Sequence, residues 1–130
     1  MKHLLLTTIA AVMLVGCAAS KKQNIWEAVA ANDTDTIVML IALGQNVNAK
    51  DDDGSTPLHY AAAKSNKEVT ELLIVESADV NAKDDEGRTP LDLAIRNSNW
   101  SHIRRKRTET AALLRKHGGK TSEELKAEGK

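Results

Sequence analysis

The phrase VNAKDDDGSTPLHYA at residues 47–61 returns as VNAKDDEGRTPLDLA at residues 80–94, thirty-three positions on, with eleven of fifteen residues identical. A period of that length belongs to arrays of stacked supersecondary units. The register is strict. Gly54 maps to Gly87, Thr56-Pro57-Leu58 to Thr89-Pro90-Leu91, and Val47-Asn48-Ala49-Lys50 to Val80-Asn81-Ala82-Lys83. One further step back from Leu58 lands on Ile25, which opens IWEAVAANDTDTIVMLIALGQNVNAK. The period therefore divides the chain into copies at 24–50, 51–83 and 84–120, the first lacking its leading turn. So short a unit cannot bury its own apolar face, and repetition supplies the neighbour on which to stack.

Each copy reads as two short helices. Thr56 suits an N-cap and Pro57 the first helical position, where a missing N–H is no loss. Leu58, Ala61 and Ala62 follow at i, i+3, i+4 as one apolar face, repeated by Ile25, Ala28 and Val29 and by Leu91, Ala94 and Ile95. A second helix is predicted around Glu68 to Val75, with Val69, Leu72 and Leu73 inward; Ile37, Leu40 and Ile41 supply the same face earlier. With two Trp, one Tyr and no Phe, the core must be built from small and aliphatic side chains. Between helix pairs lies ADVNAKDDEGRTP, whose Asp, Asn and Gly mark a tight reversal.

GSTPLHYAA followed by VTELLIVESADVNAKD resembles the ankyrin repeat, and the likeness covers roughly residues 24–120. The resemblance implies an all-α solenoid of about three stacked helix–turn–helix units with projecting β-turn fingers. Several positions depart from the family pattern. Asn32, Ser65 and Ser98 stand where the family has glycine between its helices, and Ser77 replaces the glycine kept at Gly44 and Gly118. His59 becomes Asp92 in the third copy. Leu113-Leu114 lies eight residues later than the period predicts, which places an insertion near 98–107, expected outside the packed core. Thr121 with Glu124 offers a capping box, so residues 121–130 read as a C-terminal cap or tail.

The same resemblance implies a binding face on the finger tips and the exposed side of the first helices. Transferred position by position, that face comprises Asp52, Asp53, Ser55, Ala63 and Lys64, then Asp85, Glu86, Arg88, Arg96 and Asn97. The partner it implies is another protein, bound by a monomer.

The N-terminus carries a separate message. Lys2 and His3 precede a mostly apolar run from Leu4 to Val15, too short to span a bilayer and of the length of a signal-peptide core. It ends in Leu14-Val15-Gly16-Cys17, which resembles a bacterial lipobox. That resemblance implies a signal peptide over 1–16, lipidation of Cys17, and a tether over 17–23. Ala18, where an Asp would commonly mark inner-membrane retention, points to the periplasmic face of the outer membrane.

Signals for chemistry are sparse. Asp51-Asp52-Asp53 lacks the alternating ligands and distant bidentate Glu of a calcium loop. His59, His102 and His117 lie on different elements without zinc-helix spacing. No nucleophile elbow or phosphate-cradling glycine loop occurs, and the reading is a non-enzyme without cofactor or metal. Eighteen basic against eighteen acidic residues argues against nucleic acid as a partner. The one strong charge run, Arg104-Arg105-Lys106-Arg107 after Trp100, is either a solvated insertion or helix end, or a contact for an anionic surface. The expected function is a membrane-tethered protein–protein interaction module of the bacterial envelope. The alternatives are an inhibitor of an envelope-active toxin or hydrolase, and a structural protein touching cell wall or lipid through the basic run.

Overall fold

A computed structural model describes residues 24–96 and 104–130, with side chains in the last long helix described from Arg107 onward. Over these residues the chain forms seven helices: α1 (Ile25–Ala30), α2 (Thr34–Ala42), α3 (Pro57–Ala63), α4 (Lys67–Val75), α5 (Pro90–Arg96), α6 (Arg104–Lys116) and α7 (Ser122–Ala127). The first helices α1, α3 and α5 stack in sequence, and each packs on its own second helix, α2, α4 or α6.

Local chemistry starts and stops these helices. Asn24, Asp33 and Asn66 each accept a backbone N–H three residues on, at 2.8, 3.1 and 3.2 Å. Thr121 and Glu124 form the reciprocal capping box at the start of α7. The helix ends use one device. Asn32 and Ser65 sit at φ 58° and 54° after the first helices, Gly44, Ser77 and Gly118 at 91°, 70° and 85° after the second. In each case the following amide reaches back five residues, as Asp33 N does to Ala28 O and Ala78 N to Leu73 O. Serine takes this left-handed conformation at a cost of about 1 kcal/mol that glycine avoids. Gly119 is required for another reason. A Cβ there would lie 2.7 Å from the Leu114 carbonyl oxygen, into which its own N–H bonds.

The core runs through the stack as Ile25, Ala28, Val29, Ile37, Leu58, Ala61, Ala62, Val69, Leu73, Leu91, Ala94 and Leu114. The alanines let adjacent first helices approach closely. Truncating Leu58 or Leu91, both fully buried, to alanine would remove about 2–5 kcal/mol. The expected inward face of the third copy is only partly so, because Ile95 is 49% exposed. Its counterpart Ala62 is fully buried, and the hydrogen bonds between the start of α5 and the segment of α7 lie at Thr89 and Asp92.

The insertion falls partly into helix. α6 has thirteen residues against nine in α2 and α4 and ends in register with them, so one extra turn has been added at its start. Arg104 to Arg107 form that turn. Thr110, Leu113 and Leu114 beyond it are buried. Residues 97–103 lie outside the described part, as do residues 1–23, on which the expected signal peptide, lipidation of Cys17 and tether fall.

Finally, α7 takes the place of a fourth first helix but arrives without a finger. Thr121 follows Gly118 by three positions, whereas Thr89 follows Ser77 by twelve.

Candidate interaction surface on the fingers and first helices

Each finger is built around one aspartate. In the second copy, Gly54 N donates to Asp51 O at 3.0 Å and Asp51 N to Ser55 O at 3.0 Å, closing the turn. The Asp51 carboxylate accepts the amides of Asp53 (3.0 Å) and Ser55 (2.8 Å) and the Tyr60 hydroxyl (2.6 Å). Burial pushes this carboxyl up, but the Tyr60 hydroxyl and the two amides prevail and hold it below its ordinary value. The same bond, with burial, pushes the Tyr60 phenol up to about 12. Asp84 repeats the construction, accepting Glu86 N at 3.0 Å and Arg88 N at 2.8 Å. Leu93 here replaces the tyrosine, and Arg88 Nε takes over its bond at 2.8 Å. Burial raises this carboxyl too, yet hydrogen bonds from the Arg88 backbone and side chain, with its charge, hold it low.

Two of the four differences between the repeated phrases, Ser55/Arg88 and Tyr60/Leu93, are therefore one coupled exchange. His59/Asp92 is a third. His59 Nδ1 lies 3.1 Å from Thr56 N and 2.9 Å from its hydroxyl, while Nε2 meets the Arg88 carbonyl at 2.9 Å. Asp92 accepts Thr89 N and, from the next element, Ser122 N, both at 2.9 Å. Burial raises its carboxyl, and these amides outweigh that and keep it low.

Two more ladders explain the repeated VNAK. Asn48 accepts Asp79 N at 2.7 Å and donates to Ser77 O at 3.3 Å. Asn81 does the same with Lys120 N (2.8 Å) and Gly118 O (3.0 Å). Lys50 Nζ donates to Lys83 O, and Lys83 Nζ to Lys130 O, both at 3.0 Å. Sequence reasoning treated this segment only as a turn. The signal was there, since four identical residues in a polar stretch exceed what a turn needs.

What remains after these internal uses is the exposed set. Asp52, Asp53, Asp85 and Glu86 lie exposed on the two tips, and Ala63, Lys64 and Arg96 on the first-helix side. The tips are joined by Asp85 N donating to Asp53 O at 3.0 Å. A Cβ on Gly54 would collide with the Asp85 carboxylate, so that glycine is needed for the fit as well as for its φ of 70°. Ser55 does not belong to the surface. It is 9% exposed, and its carbonyl accepts Asp51 N and Trp26 Nε1. Arg88 is chiefly internal as well. Its side chain is 27% exposed and pairs with Asp84 and Glu86, both at 2.8 Å. Asn97, Trp100 and the side chains of Arg104, Arg105 and Lys106 lie outside the described part; Arg107 is half-buried.

Among the described residues, no group of three His, Cys, Asp or Glu side chains is arranged to hold a metal. His59 faces Thr56 and a backbone carbonyl, an arrangement that holds the chain together and offers no activated nucleophile. The surface can supply charges and backbone edges in fixed positions, which is the equipment of recognition.

A family model for ankyrin repeats in three copies matches residues 25–123. The chain belongs to the ankyrin-repeat family. Ankyrin repeats are generally protein–protein interaction modules and typically non-catalytic. A comparison with curated proteins gave no match. In ankyrin terms, the described fold is a stack of three repeats closed by a fingerless half-repeat, α7.

Proposed function

We propose that this ankyrin-repeat protein is a lipid-anchored interaction module of the bacterial envelope, binding another protein through its finger tips and first helices. The observation that carries the reading is the division of labour among the finger carboxylates. Asp51 and Asp84 are consumed in building the fingers, while the side chains of Asp52, Asp53 and Asp85 have neither hydrogen bond nor ion pair among the described residues. Three unused charges on a braced edge suit a protein partner better than a small-molecule pocket.

The anchor rests on the Leu14-Val15-Gly16-Cys17 box and the basic, apolar and small-residue zones before it. Several acyl chains at Cys17 would hold the chain stably, since each buried methylene contributes about 0.8 kcal/mol and one chain alone is marginal. Residue 24 enters α1 at the finger end of the stack, where Trp26 touches Ser55. A seven-residue tether over 17–23 reaches about 25 Å when extended, so the fingers work close to the membrane. Ala18 favours the outer membrane, periplasmic face.

Crosslinking capture from native envelopes tests the reading, with Asp52, Asp53 and Asp85 together changed to Lys. Capture of the partner is expected to fall at least about tenfold, roughly 1.4 kcal/mol, with the melting temperature nearly unchanged. If that variant captures normally while neutralising Arg104 to Arg107 abolishes capture, contact through the basic turn replaces this reading. Its ground is that four cations occupy a helix N-terminus, where the dipole disfavours them.

A further inference from the structure

The turns that join each first helix to its second lie at the end of the stack away from the fingers, and they border a cleft of about 240 Å³. Asn32 comes from the first repeat's turn, Lys64, Ser65 and Asn66 from the second's, Lys67 and Glu68 from the first turn of α4, and Glu109 from α6. Asn66 Nδ2 donates to Asn32 Oδ1 and ties two of these turns together. Every lining residue is polar or charged. The volume also falls below the roughly 300–1,000 Å³ of pockets that take drug-sized ligands. An occupant must therefore be small and polar.

One group in the lining lacks the partner it needs. Ser65 is 5% exposed, and its hydroxyl is buried with no hydrogen-bond partner among the described residues. Buried polar groups are seldom left so. This one sits on a residue at φ 54°, a conformation that favours glycine. The serine is thus unfavourable on two counts, and no contact within the described fold offsets either. Arg107, two positions ahead of Glu109 on α6, also leaves a buried guanidinium nitrogen unpartnered. At the start of α4 the Asn66 side chain caps Val69 N, which leaves the Lys67 and Glu68 amides without an acceptor. The side chains of Lys64, Lys67 and Glu68 make no hydrogen bond or ion pair among the described residues.

We propose that this cleft binds a small zwitterion of the amino-acid class, distinct from whatever the fingers hold. Its carboxylate takes the two α4 amides, the Ser65 hydroxyl and the ammonium groups of Lys64 and Lys67, and its ammonium lies beside Glu68. The mixed lining selects this class. A simple anion would meet Glu68 and Glu109, and a simple cation would meet two lysines and the positive end of α4. A molecule carrying both charges meets each with its opposite.

Amide NMR on the full chain, with alanine as the probe, tests the cleft. Saturable shifts are expected at the Lys67 and Glu68 amides, with none on the fingers. Acetate and ethylamine should bind at least about tenfold more weakly, since each lacks one of the two hydrogen-bonded charges. Ser65→Gly removes the hydroxyl and relieves the left-handed conformation, so it should fold at least as well as the native chain. Its affinity for alanine should nevertheless fall about tenfold, the effect of one hydrogen bond to a charged group. The variant with Asp52, Asp53 and Asp85 changed to Lys should bind alanine normally. Absence of saturable shifts, acetate or inorganic phosphate binding as tightly as alanine, or an unchanged affinity in Ser65→Gly overturns the proposal.

Discussion

At the scale of single residues, the repeated phrase carries two kinds of charge that look alike in the sequence. The side chains of Asp52 and Asp53 make no hydrogen bond or ion pair among the described residues, whereas that of Asp51, just before them, anchors the finger. Arg88 reads as a surface cation because finger residues are exposed in the family, yet it neutralises the fully buried side chain of Asp84. The two classes separate by mutation. Arg88→Glu would leave Asp84 without its cation beside a like charge, and should cost about 1–3 kcal/mol in thermal unfolding. Asp53→Lys should stay within about 0.5 kcal/mol. Periodicity showed the core positions well, since Leu58, Ala61 and Leu91 obey a rule of spacing. It could not show which of three adjacent aspartates turns inward. That depends on the Tyr60 hydroxyl nine residues away and on its exchange for Arg88 in the next copy.

Among the elements, α6 shows what spacing leaves open. The eight-residue excess placed an insertion near 98–107, its basic run either a solvated insertion or a helix end, and the described part of it is an added helical turn whose register leads directly into buried Thr110, Leu113 and Leu114. A helix can absorb four residues at its start without disturbing the face that packs, because the extra turn extends past its neighbours along the same axis. Its composition is adverse, with no acidic residue in the first turn. Replacing Arg104 and Arg105 by Glu should therefore raise stability, by about 0.3–1 kcal/mol for each, with the gain shrinking in salt. A denaturant titration at low and high ionic strength reads this directly. A fall in stability would mean that the basic residues have anionic neighbours within the chain.

For the whole molecule, the proposed anchor and the repeat array can be tested separately. Cys17→Ser should move the protein from the membrane fraction to the soluble one, or leave it uncleaved, with the helical content of 24–130 intact. Fractionation and mass spectrometry of the N-terminus check this; an unchanged membrane-bound, cleaved and lipid-bearing variant would refute lipidation at that residue. The fingerless half-repeat has a different kind of consequence, one for ancestry and engineering. A unit appended behind α7 would meet neither a finger edge nor an Asn48-type clamp. A copy of 51–83 spliced in before Asp84 would find, at both its borders, the Asn and Lys side chains it already complements. Such an array would lengthen more readily by duplication from within than by extension behind α7.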